Sequence, residues 1–182
     1  MDLAEELRIR PEEGARRLLA EHGPRLRALA LRFCDGDDAA ADDLCLRAFA
    51  RAVERIGQLR GAALHPWLCA ILASLRRSDL RRAGVRAEAD APPEDLDALP
   101  GDDPGPLAAL VARTDAETVA AAVSRLPVHY RDAVLLRYWE ELSLEETAVA
   151  LGVPLGTAKF RLARARALLR AALEPLFGKE PR

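Results

Sequence analysis

Ser143-Leu-Glu-Glu-Thr-Ala-Val-Ala-Leu-Gly152-Val-Pro-Leu-Gly-Thr-Ala-Lys-Phe-Arg-Leu-Ala-Arg-Ala-Arg-Ala-Leu-Leu169 decides the fold. Ser143 with Glu146 three residues on has the pattern of a capping box, which satisfies two N–H groups at the start of a helix. Leu144, Thr147, Ala148 and Leu151 follow at helical spacing, and Gly152 stands where a helix ends in a left-handed residue. Beyond Gly152-Val153-Pro154, the residues Ala158, Leu162, Ala165 and Leu169 fall at offsets of 0, 4, 7 and 11 and mark the buried stripe of a second helix. Two short helices across a glycine turn make a helix-turn-helix.

The second helix is basic. Residues 155–170 carry Lys159, Arg161, Arg164, Arg166 and Arg170 and no acid. Its outward face, Gly156, Phe160, Ala163, Arg164 and Ala167, is small enough to enter a DNA major groove. Lys159 and Arg164 suit guanine edges or phosphates, and Arg161 and Arg166 suit phosphates. Thr157 sits at the helix start, where free N–H groups and the dipole favour a phosphate. Phe160 is placed to pack on a thymine methyl. A solvated basic helix inside a structural bundle is the competing reading.

Outward from this motif the chain reads as all-α. Val119, Ala122, Val123 and Leu126 form a stripe ended by Pro127, and a further helix is expected over about 128–140. In the N-terminal part, residues 15–33 read as helical with a break near Gly23-Pro24. Asp35-Gly-Asp-Asp38 is a turn and cap signal. Leu44, Ala48, Phe49, Ala52, Val53 and Ile56 form the next stripe, and Leu64, Trp67, Leu68, Ile71, Leu72 and Leu75 the clearest one. Between the parts, residues 83–106 hold five of the 12 prolines and seven acids against one arginine. Proline removes donors and like charges repel, so this stretch is expected to be an extended linker. The organisation predicted is 1–82, a linker over 83–106, and 107–182.

The net charge of −2 conceals local asymmetry: five arginines in 75–86 against Asp79 alone, and five aspartates in 35–43. Separate faces for separate partners follow. Cys34, Cys45 and Cys69 form no disulfide framework or zinc pattern, and no metal or cofactor is expected. His22, His65 and His129 read as surface or partly packed side chains, Trp67 and Trp139 as packing. The acidic 35–43 stretch lacks the calcium-loop pattern. Phosphate loops, nucleophile elbows and metalloprotease motifs are missing, so neither an enzyme nor a small-molecule substrate is expected. With no signal core and no apolar run of membrane-spanning length, a cytoplasmic location without membrane insertion is expected.

Residues 126–169, LPVHYRDAVLLRYWEELSLEETAVALGVPLGTAKFRLARARALL, closely resemble the fourth domain of extracytoplasmic-function (ECF) sigma factors. HGPRLRALALRF, GDDAAADDL with its following Ala-Phe, Trp67-Leu68 with Ile71, and the arginine cluster after them resemble that family's second domain. The resemblance implies a transcription initiation factor that directs core RNA polymerase to promoters. Asp42, Asp43, Leu44, Phe49 and Arg51 would grip the β′ clamp. Trp67, Ser74, Arg76, Arg77, Arg81 and Arg82 would melt and read the minus-ten element, where basic groups suit an unstacked strand. The face from Thr157 to Arg164 would read the minus-thirty-five element, and the rest of the fourth domain would meet the β flap. An anti-sigma factor is an implied partner. The sequence departs from the family's usual residues at Leu46, Arg47, Leu64, Ser74 and Phe160. Two other readings are a sigma mimic that sequesters an anti-sigma factor and a plain helix-turn-helix regulator.

Overall fold

The computed structural model describes residues 3–59, 63–85 and 105–177, and no strand occurs among them. The expected linker falls largely in 86–104, outside the described residues. Four helices form a first bundle: α1 (Leu3–Ile9), α2 (Pro11–Phe33), α3 (Asp38–Arg55, followed by a 3₁₀ turn, Ile56–Gln58) and α4 (Leu64–Arg82). Five form a second: α5 (Gly105–Arg113), α6 (Ala116–Ser124), α7 (Val128–Val134), α8 (Leu144–Leu151) and α9 (Leu155–Phe177). A π-helical turn, Leu135–Trp139, extends α7.

In the first bundle Leu26, Leu29, Phe33, Leu44, Ala48, Leu68 and Leu72 close one core. Asp37 starts α3 by accepting from the Ala40 N–H at 3.0 Å. The break expected near Gly23-Pro24 does not occur, because α2 runs on through Pro24. Proline in a helix interior costs about 3 kcal/mol through its lost hydrogen bond and ring clash. Here Leu18 on one side of it and Leu26, Leu29 and Phe33 on the other are all buried in the same core, which holds the rod continuous. Along the apolar stripe of α4, Leu68 and Leu72 are fully buried and Leu64, Trp67, Ile71 and Leu75 half-buried, and the helix packs against both α3 and α8.

Two helices were not anticipated from the sequence, α1 and α5. Leu3 and Leu7 of α1 are buried against α2, where Gly14 permits the approach. A Cβ at Gly14 would lie 2.7 Å from the Leu7 backbone. Leu107 of α5 is buried in the second bundle, where α5 packs on α9.

Candidate nucleic-acid interface

The helix-turn-helix forms from α8 and α9. Ser143 Oγ accepts from the Glu146 N–H at 3.0 Å, and Glu146 accepts from the Ser143 N–H at 2.8 Å, completing the capping box. Gly152 ends α8 with φ +63°, a left-handed conformation that glycine adopts without penalty. On α9 the phased residues Ala158, Leu162, Ala165 and Leu169 are all buried. Anchored along that stripe, the helix turns Lys159, Arg164 and Ala167 to solvent, with Gly156, Thr157, Phe160 and Ala163 half-exposed beside them.

Two basic residues of α9 point elsewhere. Arg166 is buried and donates to the Tyr138 hydroxyl at 3.1 Å. Its position between the solvent face and the Ala165–Leu169 stripe turns it inward, so it ties α9 to the π turn and is not presented to a phosphate. Arg161 lines a cavity of about 230 Å³ together with Arg77, Arg81, Asp132 and Gly152.

That cavity lies between the bundles. The C-terminal half of α4 packs against α8, so the helix expected to read the minus-ten element is half-covered by the helix-turn-helix. Ser74, Arg81 and Arg82 are exposed, and Trp67, Arg76 and Arg77 are half-buried. Arg77 donates to the Ala150 carbonyl at the end of α8 and lies where a Gly152 Cβ would sit, 2.9 Å from its Nη2. Burial, with Arg81 and Arg161 nearby, pulls the Arg77 pKa down. Burial pushes Asp132 up to about 6 despite Arg76, Arg131, Arg77 and Arg161 around it.

Further contacts close the arrangement. Arg25 of α2 donates to Glu140 through Nε–Oε2 at 2.9 Å and Nη2–O at 3.1 Å. His65 Nε2 is 2.8 Å from the same Oε2. Arg131 makes a bidentate pair with Asp35, and the Arg32 guanidinium lies 5.5 Å from the Trp139 ring centre. Trp139 thus packs at the seam, against an apolar cavity of about 600 Å³ bounded by α2, α6 and the π turn.

The expected polymerase-binding residues divide by depth. Asp42 and Asp43 are exposed and Arg51 half-exposed, whereas Leu44 and Phe49 lie in the core and shape that surface only by holding α3 in place. Asp42 pairs with Arg27 at 2.6 Å and Asp43 with Arg47 at 2.8 Å. The atypical Arg47 also bonds Asp79 of α4 at 3.1 and 2.6 Å, holding that carboxyl below its usual range. Arg47 is therefore a strut between α3 and α4.

Sequence reasoning missed one cluster, in which His65, Cys69 and Glu140 place one ligand atom each within 4.8 Å of the others. The i, i+4 spacing of His65 and Cys69 was a visible signal, since it puts both on one helix face. Glu140 is 75 residues from His65 and could be brought to them only by the packing of the two bundles.

Two small helical bundles, one carrying a capped helix-turn-helix and both carrying arginine-rich helices, have the architecture of a helix-turn-helix DNA-binding protein. The sequence matches the family models of Sigma-70 region 2 over residues 18–86 and Sigma-70, region 4 over residues 116–169. It is 31% identical over 166 residues to the RNA polymerase sigma-H factor of Pseudomonas aeruginosa, covering 87% of this chain and 86% of that protein. With the ECF RNA polymerase sigma factor EcfG of Rhodopseudomonas palustris it shares 35% over 153 residues, covering 82% and 80%. Identity is also 35% with the ECF RNA polymerase sigma factor SigE of Mycolicibacterium smegmatis, of whose length the chain spans 59%. The chain belongs to the ECF RNA polymerase sigma factors, which are transcription initiation factors. Two solved structures share the fold at 24% identity. The sigma factor RpoE with the anti-sigma factor NepR from Bartonella quintana has a TM-score of 0.62, covering 87% of this chain and 96% of that one. CnrH with the cytosolic domain of CnrY has a TM-score of 0.64, covering 95% and 96%. No helix among the described residues is long and apolar enough to cross a membrane.

Proposed function

We propose that residues 1–82 bind core RNA polymerase and the minus-ten element, and that residues 107–182 read the minus-thirty-five element through α9. The observation that carries this is the open edge of α9. Lys159 and Arg164 face solvent on a helix whose opposite stripe is fully buried and whose partner helix is capped at both ends. Lys159, Arg164 and the half-exposed Phe160 are the base- and phosphate-contacting set, with Thr157 at the helix start, and Arg161 joins them once the bundles part and free it from the cavity between them. On α4, Ser74, Arg76, Arg81 and Arg82 lie along the single strand, and Arg77 joins them once it leaves Ala150. Asp42, Asp43 and Arg51 form the polymerase-facing edge of α3. The protein supplies recognition and strand opening, and bond formation stays with the polymerase.

The arrangement described is a closed one, in which α4 and the helix-turn-helix cover each other in part. Promoter engagement therefore requires the bundles to part. An anti-sigma factor, the kind of partner that NepR is for the similar sigma factor RpoE, is the partner proposed to bind this closed arrangement.

The test is transcription on a genomic template by core polymerase with and without the protein. New specific start sites are expected, and no gain over core alone rejects the proposal. Arg164→Ala is expected to lose about 1–3 kcal/mol at one base position if Arg164 reads a base edge. A uniform loss across sequences places it on phosphate. The covered state of α4 favours a second reading, a mimic that only occupies an anti-sigma factor. Co-purification with β′ rejects that reading.

A further inference from the structure

We propose that His65, Cys69 and Glu140 form a zinc site that latches the two bundles together. His65 and Cys69 stand one turn apart on α4, and Glu140 lies just beyond the π turn of the other bundle. His65 Nε2 is 2.8 Å from Glu140 Oε2 and 3.5 Å from Cys69 Sγ. Four-coordinate zinc, with bonds of 2.0–2.3 Å, sets neighbouring ligand atoms roughly 3.3–3.6 Å apart. The three donor atoms here all lie within 4.8 Å of one another, so side-chain shifts of about half an ångström to one ångström admit the ion. Cys69 is fully buried, and the side chains of Glu140 and His65 are 4% and 16% exposed. The surroundings are thus dry and the donors already gathered.

One nitrogen, one sulfur and one carboxylate oxygen suit a borderline-soft divalent ion without directional preference, which selects zinc over magnesium or calcium. His22, stacked on His65 with ring centres 5.9 Å apart, offers a further nitrogen donor, and water is the alternative for the fourth position. Arg25 now occupies Glu140 Oε2. Its side chain is 47% exposed and returns to solvent readily.

Because two donors come from α4 and one from the other bundle, the ion binds fully only to the closed arrangement. Its binding free energy is therefore added to closure. The site stands on geometry alone. Its consequence, that zinc withholds the protein from polymerase and promoter, rests on the function proposed above.

The experiment titrates the metal-free full-length protein with Co²⁺ as a spectroscopic probe, followed by Zn²⁺ competition. One equivalent of Co²⁺ is expected to give a thiolate-to-cobalt charge-transfer band that Zn²⁺ removes. Cys69→Ser abolishes the band, and Cys34→Ser, which alters a cysteine outside the cluster, keeps it. His65→Gln leaves the buried Cys69 untouched and guards against a folding defect in Cys69→Ser. With its fold checked by circular dichroism, it is expected to weaken binding roughly tenfold or more. Energy transfer between a dye on α3 and one on α8 is expected to rise with Zn²⁺ in the wild type and not in Glu140→Gln. A missing band, or one that persists in Cys69→Ser, overturns the site. A band that survives unweakened in Glu140→Gln places the ion on the first bundle alone and overturns the latch. If band and energy-transfer response both appear and transcription stays indifferent to zinc, the site holds and the promoter-binding reading is what fails.

Discussion

Replacing Asp35 by Asn is expected to loosen the contact between the bundles without disturbing either one. Asp35 lies in the turn between α2 and α3 at φ +55°, a left-handed conformation that Asn tolerates as well as Asp, so the turn survives. What is lost is the charge facing Arg131, whose side chain is 8% exposed while that of Asp35 is 60% exposed. Breaking a fully buried pair costs about 3–5 kcal/mol, and an exposed pair is worth about 0–1 kcal/mol. This pair is buried on one side only. Arg131 also keeps the Ser124 carbonyl at 3.2 Å. The expected loss is therefore about 1–2 kcal/mol, which lowers the closed-to-open ratio by a factor of about 5–30. Single-molecule energy transfer between α3 and α8 reads that ratio directly. Raised salt moves the wild type in the same direction, because one partner is solvent-exposed. If affinity for polymerase is limited by the fraction that is open, it rises in Asp35→Asn in proportion. Unchanged energy transfer in Asp35→Asn, with no response to salt in the wild type, would refute the assignment of this pair as an interdomain clamp.

Three further outcomes are expected. Gly14→Ala forces α1 off α2, because the new Cβ meets Leu7 backbone atoms and not a movable side-chain end; faster proteolysis near Leu3 and Leu7 with the remaining helices intact checks this. Ser143→Ala removes the acceptor for the Glu146 N–H and costs about 1 kcal/mol, read as a lower melting point of the helix-turn-helix bundle and weaker binding to minus-thirty-five DNA. Asp132 holds its proton up to about pH 6 in the folded protein against an ordinary value of 3.8, so between those pH values the folded state binds a proton that the unfolded state has lost. Stability thus falls as pH rises through that window, by on the order of 3 kcal/mol at the limit, and Asp132→Asn flattens this part of the stability-versus-pH curve measured by urea unfolding.

The sequence by itself determined the elements whose signals lie within one or two helical turns. Ser143 and Glu146 are three residues apart and Gly152 needs only its own φ, so the ends of α8 were legible. The Ala158–Leu169 stripe was legible because a 3.6-residue period assigns the buried side of a helix without knowledge of what covers it. The same local logic misjudged Pro24, since the lost hydrogen bond is local and the core that compensates for it is not. It also left Arg166 facing outward, because a position at the edge of the buried stripe is decided by whichever neighbour is present, here the Tyr138 hydroxyl. Only the tertiary structure decided how the two bundles meet. The bond from Arg25 to Glu140 spans 115 residues and that from Arg131 to Asp35 spans 96. No periodicity carries information over such separations. They are set by whether two finished surfaces match in shape and charge, and that match exists only after each bundle has folded.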